Sequence, residues 1–154
     1  MASIAINGSQ TEDVGANDLT YQIWNPNKFY TSQTCGAGTE EDPYYDCSYY
    51  TGGYDDYTGG STTIHGTVVA SSKMKVNGVS VAKVGDSVTE TETPSLPSGA
   101  VNIGNEEGGT GNVTSGSSKV FINGVAVAKV GSSVQTHTTP TTTIADGDSK
   151  VNIV

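Results

Sequence analysis

The sequence predicts an all-β protein, a small cone-shaped pseudo-threefold arrangement of β-hairpins carrying a long loop insertion. The first observation is composition. Of 154 residues only 34% are hydrophobic, with 17 Val and 8 Ile against 2 Leu. β-Branched side chains lose χ1 freedom in a helix and pack well on a pleated sheet, so a helical bundle is excluded. The second observation is an internal repeat. The stretch SSKMKVNGVSVAKVG at 71–85 recurs 46 residues later as SSKVFINGVAVAKVG at 117–131. In each copy two short alternating runs flank Asn-Gly, which tolerates φ > 0 at both central positions of a type I′ turn, so each copy reads as a β-hairpin. The length suits one domain, residues 1–154.

A third, degenerate copy is expected at the N-terminus. There Ile4-Ala5-Ile6-Asn7-Gly8 is followed by five residues and then Val14-Gly15, the same Asn-Gly to Val-Gly spacing as in the two clear copies. The C-terminal Ser149-Lys150-Val151-Asn152-Ile153-Val154 echoes the first hairpin strand once more and is placed to close the figure against the N-terminal hairpin. Three excursions leave after Val-Gly, at 16–64, 86–112 and 132–148. With the hairpins about a pseudo-threefold axis, the Asn-Gly turns fall at one end and the excursions converge at the other.

The first excursion differs from the others. All 8 Tyr and the one Trp lie between Tyr21 and Tyr57, among Glu40, Glu41, Asp42, Asp46, Asp55 and Asp56. A long loop of this kind covers the body with its rings or presents them to a partner, since Tyr supplies contact area at low entropic cost.

Several classes fall away on charge and hydropathy. With 7 basic residues, all Lys, against 16 acidic ones, there is no basic stripe to release counterions from phosphates, and nucleic acid is not an expected partner. No apolar run is long enough to span a bilayer, and the start MASIAINGSQ lacks the basic flank and apolar run of a signal peptide. A protein assembled in the cytoplasm without Sec export is expected. No Gly-x-Ser-x-Gly elbow is present, and the acids of the first excursion lack the ordered alternation of an EF-hand loop, so no enzyme is expected.

Together with Ile64-His65-Gly66-Thr67-Val68-Val69 ahead of the first clear copy, the two repeats resemble the PAAR-repeat proteins. The likeness covers roughly residues 61–154 well and 1–20 weakly, and the Tyr-rich insertion has no counterpart. Lys83 and Lys129 stand where that family's signature Arg is usual. The resemblance implies a spike tip that caps the trimeric β-helical spike of a type VI secretion system or a contractile phage tail and sharpens it for piercing an envelope. It places the protein at the tip of a virion baseplate or a secreted injection apparatus. It also implies docking on the spike through the base turns Asn7-Gly8, Asn77-Gly78 and Asn123-Gly124. The alternative reading is a host-surface binding module presented through the insertion.

The resemblance further implies one structural metal ion at the apex, Zn or Fe. His65 matches the family's His-Gly position, and His137 follows Val130-Gly131 near the usual ligand spacing. With Cys35 and Cys47 they form the inventory of one tetrahedral Cys₂His₂ site. The residue 46 before His137 is Thr91, flanked by Glu90 and Glu92. For the cysteines three outcomes stay open: metal ligation, a disulfide closing their loop, or free thiols.

Overall fold

The computed structural model describes residues 1–154. It holds no helix. The strands are β1 (Ala2–Ile4), β2 (Val14–Asn25), β3 (Tyr30–Cys35), β4 (Tyr45–Tyr50), β5 (Gly53–Val69), β6 (Lys75–Val76), β7 (Val79–Ser80), β8 (Ser87–Ser95), β9 (Ala100–Gly104), β10 (Gly109–Val113), β11 (Phe121–Ile122), β12 (Val125–Ala126), β13 (Ser133–Gln135), β14 (Thr141–Thr143) and β15 (Asp148–Ile153). A curled seven-stranded sheet has the order β14-β13-β10-β8-β5-β2-β9, and four two-stranded pairs complete the fold: β1-β15, β11-β12, β3-β4 and β6-β7.

The two clear repeats fold as the alternation demands. Val76 pairs Val79 and Ile122 pairs Val125. Between them Asn77 (φ 51°), Gly78 (80°), Asn123 (48°) and Gly124 (80°) supply the four left-handed residues of two type I′ turns.

A closed ring of hydrogen bonds marks the pseudo-threefold axis. The Ala5 N–H donates to the Ala128 carbonyl (3.0 Å), Ala128 N–H to Ala82 (2.9 Å), and Ala82 N–H to Ala5 (2.9 Å). Around it every third of the chain repeats the same local motif. The N–H groups of Ile6, Lys83 and Lys129 donate to the side chains of Ser9, Asp86 and Ser132 at 3.0, 2.9 and 3.0 Å. Gly8, Gly85 and Gly131 share φ values of 93°, 92° and 92°. Their N–H groups donate to Val68, Val113 and Ile144, where the three excursions return.

This equivalence corrects the expected alignment of the first copy. Asn7-Gly8 is the counterpart of Val84-Gly85 and Val130-Gly131, not of the turns at 77–78 and 123–124. The third hairpin is assembled from the chain ends instead. Ala2 pairs Ile153 and Ser3 pairs Asn152, the register in which Val79 meets Val76 and Ser80 meets Lys75. The termini therefore stand where an Asn-Gly turn stands in the other two hairpins. Asn7-Gly8 is accordingly not a hairpin turn of the kind formed by Asn77-Gly78 and Asn123-Gly124.

Two small clusters fill the body. Ile4, Val81 and Val127, the three residues preceding the alanine ring, are each 0% exposed and pack with Ile153. Above them Ala5, Ala82 and Ala128 join Val68, Val88, Val113, Val134 and Ile144. Val and Ile suit these sites because each triplet meets at an axis with room for short, branched side chains. Only 28 of 154 residues are buried, which explains how so little hydrophobic sequence suffices.

The expected insertion at 16–64 is a β arm and not an irregular loop. β2 and β5 pair from Val14↔Ile64 to Asn25↔Gly53, and β3 and β4 continue the ribbon from Tyr30↔Tyr50 to Cys35↔Tyr45. Directly opposed aromatics run along it: Tyr21 stacks on Tyr57, Trp24 meets Tyr54 edge-on and Tyr30 meets Tyr50, with centroids 5.2–5.3 Å apart. Cross-strand pairs of this kind stabilise a ribbon that has little core beneath it.

Candidate functional site at the loop end

The loop end holds a buried cluster of two carboxylates and one imidazole. β8 alternates between exposed Ser87, Thr89, Thr91 and Thr93 and inward Val88, Glu90 and Glu92. After Val88 the inward positions thus switch from apolar to acidic. The side chains of Glu90 and Glu92 are 1% and 0% exposed. His137, just beyond β13, meets both: its N–H donates to Glu90 Oε1 (2.8 Å), and its Nε2 lies 2.9 Å from Glu92 Oε1.

Glycines make the space. On β10 Gly109 lies opposite Glu90 and Gly111 opposite Val88. A Cβ at Gly109 would strike the His137 ring, and one at Gly111 would strike the Glu90 carboxylate. Larger residues at either position would expel the cluster. Beside it lies a polar cleft of about 450 Å³ lined by Asp18, Asn105, Glu107, Gly108, His137 and Thr138. Asp18 Oδ1, Glu92 Oε2 and His137 Nδ1 are buried without hydrogen-bond partners.

Burial holds the Glu90 carboxyl above its ordinary range. The His137 N–H and imidazole oppose that rise, and the neighbouring Glu92 charge adds to it. The direction of this shift fixes the sign of a pH dependence. Its contribution to stability is complete below the ordinary glutamate range and is lost as pH rises through the raised value. Glu90→Gln, which keeps an oxygen for the His137 N–H, is therefore expected to raise the thermal midpoint near neutral pH. The gain should vanish in acid, and a thermal series across pH measures it. A midpoint difference that stays constant with pH would refute the assignment.

The other residues expected at the apex lie elsewhere. His65, on β5, pairs Thr91 and so occupies the face of the sheet opposite to Glu90, Glu92 and His137. It is exposed, with Nδ1 2.6 Å from Asp13 Oδ1 and Nε2 on Gln10 Oε1. Cys35 and Cys47 form a disulfide near the tip of the arm, one of the three outcomes the sequence leaves open. The expected Cys₂His₂ set is therefore not assembled. Its two imidazoles are separated by the sheet and its sulfurs are bonded to each other. The Glu90 and Glu92 side chains both bond His137, and no group of three His, Cys, Asp or Glu side chains is arranged to hold a metal ion as these side chains stand.

Neither imidazole hydrogen-bonds a serine, threonine or cysteine. The arrangement ties the second excursion to the third through Glu90, Glu92 and His137. The sequence pointed to Glu90 and Glu92 only as neighbours of Thr91. The signal that places them inward is the alternation Val88-x-Glu90-x-Glu92, read against Gly109-x-Gly111. Among known proteins no family, no curated protein and no solved structure matches this chain.

Proposed function

We propose that this chain is a structural spike-tip protein that caps a trimeric β-helical spike of a contractile injection machine and works by shape, without chemistry. The observation that carries the reading is the alanine ring, with three equivalent hairpins around it. A single chain that repeats one surface three times about an axis can meet each subunit of a cyclic trimer in the same way. One cap per trimer then satisfies three equivalent interfaces at once. The repeats that resemble PAAR proteins are the two continuous hairpins of this end. The opposite end, with its tied excursions and long arm, is left to meet the target envelope first.

Co-expression with a cognate trimeric β-helical spike tests the reading. A complex of one chain per trimer, measured by mass, is expected. Recovery of the trimer alone, or of three chains per trimer, would reject it.

One observation favours a second reading, a binding module for a host surface. Trp24, Tyr30, Tyr44, Tyr45 and Tyr50 on the arm are each more than half exposed, from 52% to 69%. Rigid, amphipathic rings held on a pinned ribbon make a recognition surface.

A further inference from the structure

The charges of this acidic protein are segregated along its axis. Residues 71–86, 117–132 and 148–154 hold six of the seven lysines but only two of the sixteen carboxylates, Asp86 and Asp148. Asp86 is engaged by Lys83 at 2.6 Å. Asp148 accepts from the Asn77 side chain at 3.2 Å and from the Lys150 N–H at 2.9 Å. Of the other fourteen carboxylates, twelve lie on the three excursions, and Glu12 and Asp13 lie on the segment between Gly8 and β2.

The hairpin registers relate three of these lysines by the pseudo-threefold axis. Val76, Ile122 and Ile153 occupy one position, since they pair with Val79, Val125 and Ala2 respectively. Three residues earlier in each copy stand Lys73, Lys119 and Lys150. All three are exposed, and none has a carboxylate within ion-pair distance. Next to them along the strands are Met74, Val120 and Val151, and Phe121 follows at 53% exposure. The hairpin end therefore combines apolar side chains with unpaired cations repeated three times.

We propose that Lys73, Lys119 and Lys150 form a cationic ring that docks on an acidic, threefold-symmetric protein face, each lysine meeting the same acidic site on one subunit of the trimer. The inference rests on the spike-tip reading and adds the chemistry of the partner surface. Symmetry supplies the partner's threefold axis, and the unpaired lysines supply the sign of its charge. Segregation supplies the orientation: an acidic face attracts the hairpin end and repels the loop end, so the cap is steered on with its arm outward.

The test compares the wild type with Lys73→Gln/Lys119→Gln/Lys150→Gln and with Lys28→Gln on the arm, each titrated against a cognate trimeric β-helical spike. All three substituted lysines are exposed, and an unchanged thermal midpoint verifies that the triple variant folds. At low salt the triple variant is expected to bind about 10–100-fold more weakly, with the difference shrinking at high salt, while Lys28→Gln binds as the wild type does. If the wild type binds and the triple variant binds equally well, the ring is overturned and the spike-tip reading stands. If the wild type binds no trimer at any salt, both fall.

Discussion

Ile4→Ala is expected to lower the free energy of unfolding by about 2–5 kcal/mol, within reach of the whole stability of a small domain. Ile4 is fully buried at the point where the thirds of the chain meet, packed with Val81, Val127 and Ile153. Truncation removes apolar contacts and leaves a cavity. Collapse is opposed because the adjacent Ala5 is locked into the three-way hydrogen-bond ring. Ile4→Val is the informative partner. Its counterparts are Val81 and Val127, so it removes one methylene without breaking the pattern, and about 0.5–1.5 kcal/mol is expected. Urea unfolding of both variants reads the difference. A loss for Ile4→Ala no larger than that for Ile4→Val would mean that the axis is not where the core is tightest.

The second large effect is local. Replacing Cys35 and Cys47 by serine removes a cross-link between residues 12 apart, which for a loop of about this size corresponds to about 3 kcal/mol. β3 and β4 pair only with each other, and an isolated two-stranded ribbon is marginal in water. The Tyr30–Tyr50 pair, at 5.3 Å, contributes about 0.5–1.5 kcal/mol and does not replace the link. The serine variant should therefore show faster amide exchange across 30–50 with an unchanged global unfolding midpoint, because neither core cluster contains a residue of the arm. A fall of the global midpoint by the full amount would show that arm and body unfold as one unit. Under the host-binding reading, this variant would also lose adsorption while the spike complex persists.

The strand class and the two continuous hairpins were legible because their causes are local. Val and Ile at alternating positions, and Asn-Gly between them, restrict φ and ψ within a few residues. The threefold repeat is legible as well, but composition alone puts its first copy in the wrong frame. Asn7-Gly8 resembles a hairpin turn by composition, yet Gly8 adopts the φ of 93° shared by Gly85 and Gly131. Its frame is set by Ala5 bonding Ala82 and Ala128, contacts that no local pattern encodes. The candidate site was half legible. His137 was identified, but its partners Glu90 and Glu92 depend on which side of β8 faces inward, and His65 lies on the other side of the same sheet.

Backbone propensity and side-chain alternation act over a few residues, and they fix the all-β class, the two Asn-Gly hairpins and the division of the chain into hairpins and excursions. Long-range contacts are what make the chain ends build the third hairpin, bury two carboxylates against His137, pair the cysteines and place three lysines at equivalent positions about an axis. Each of these joins residues far apart in the chain. Their free energy comes from burial and pairing across strands, and it appears only once the sheet has curled and the three thirds have closed on one another.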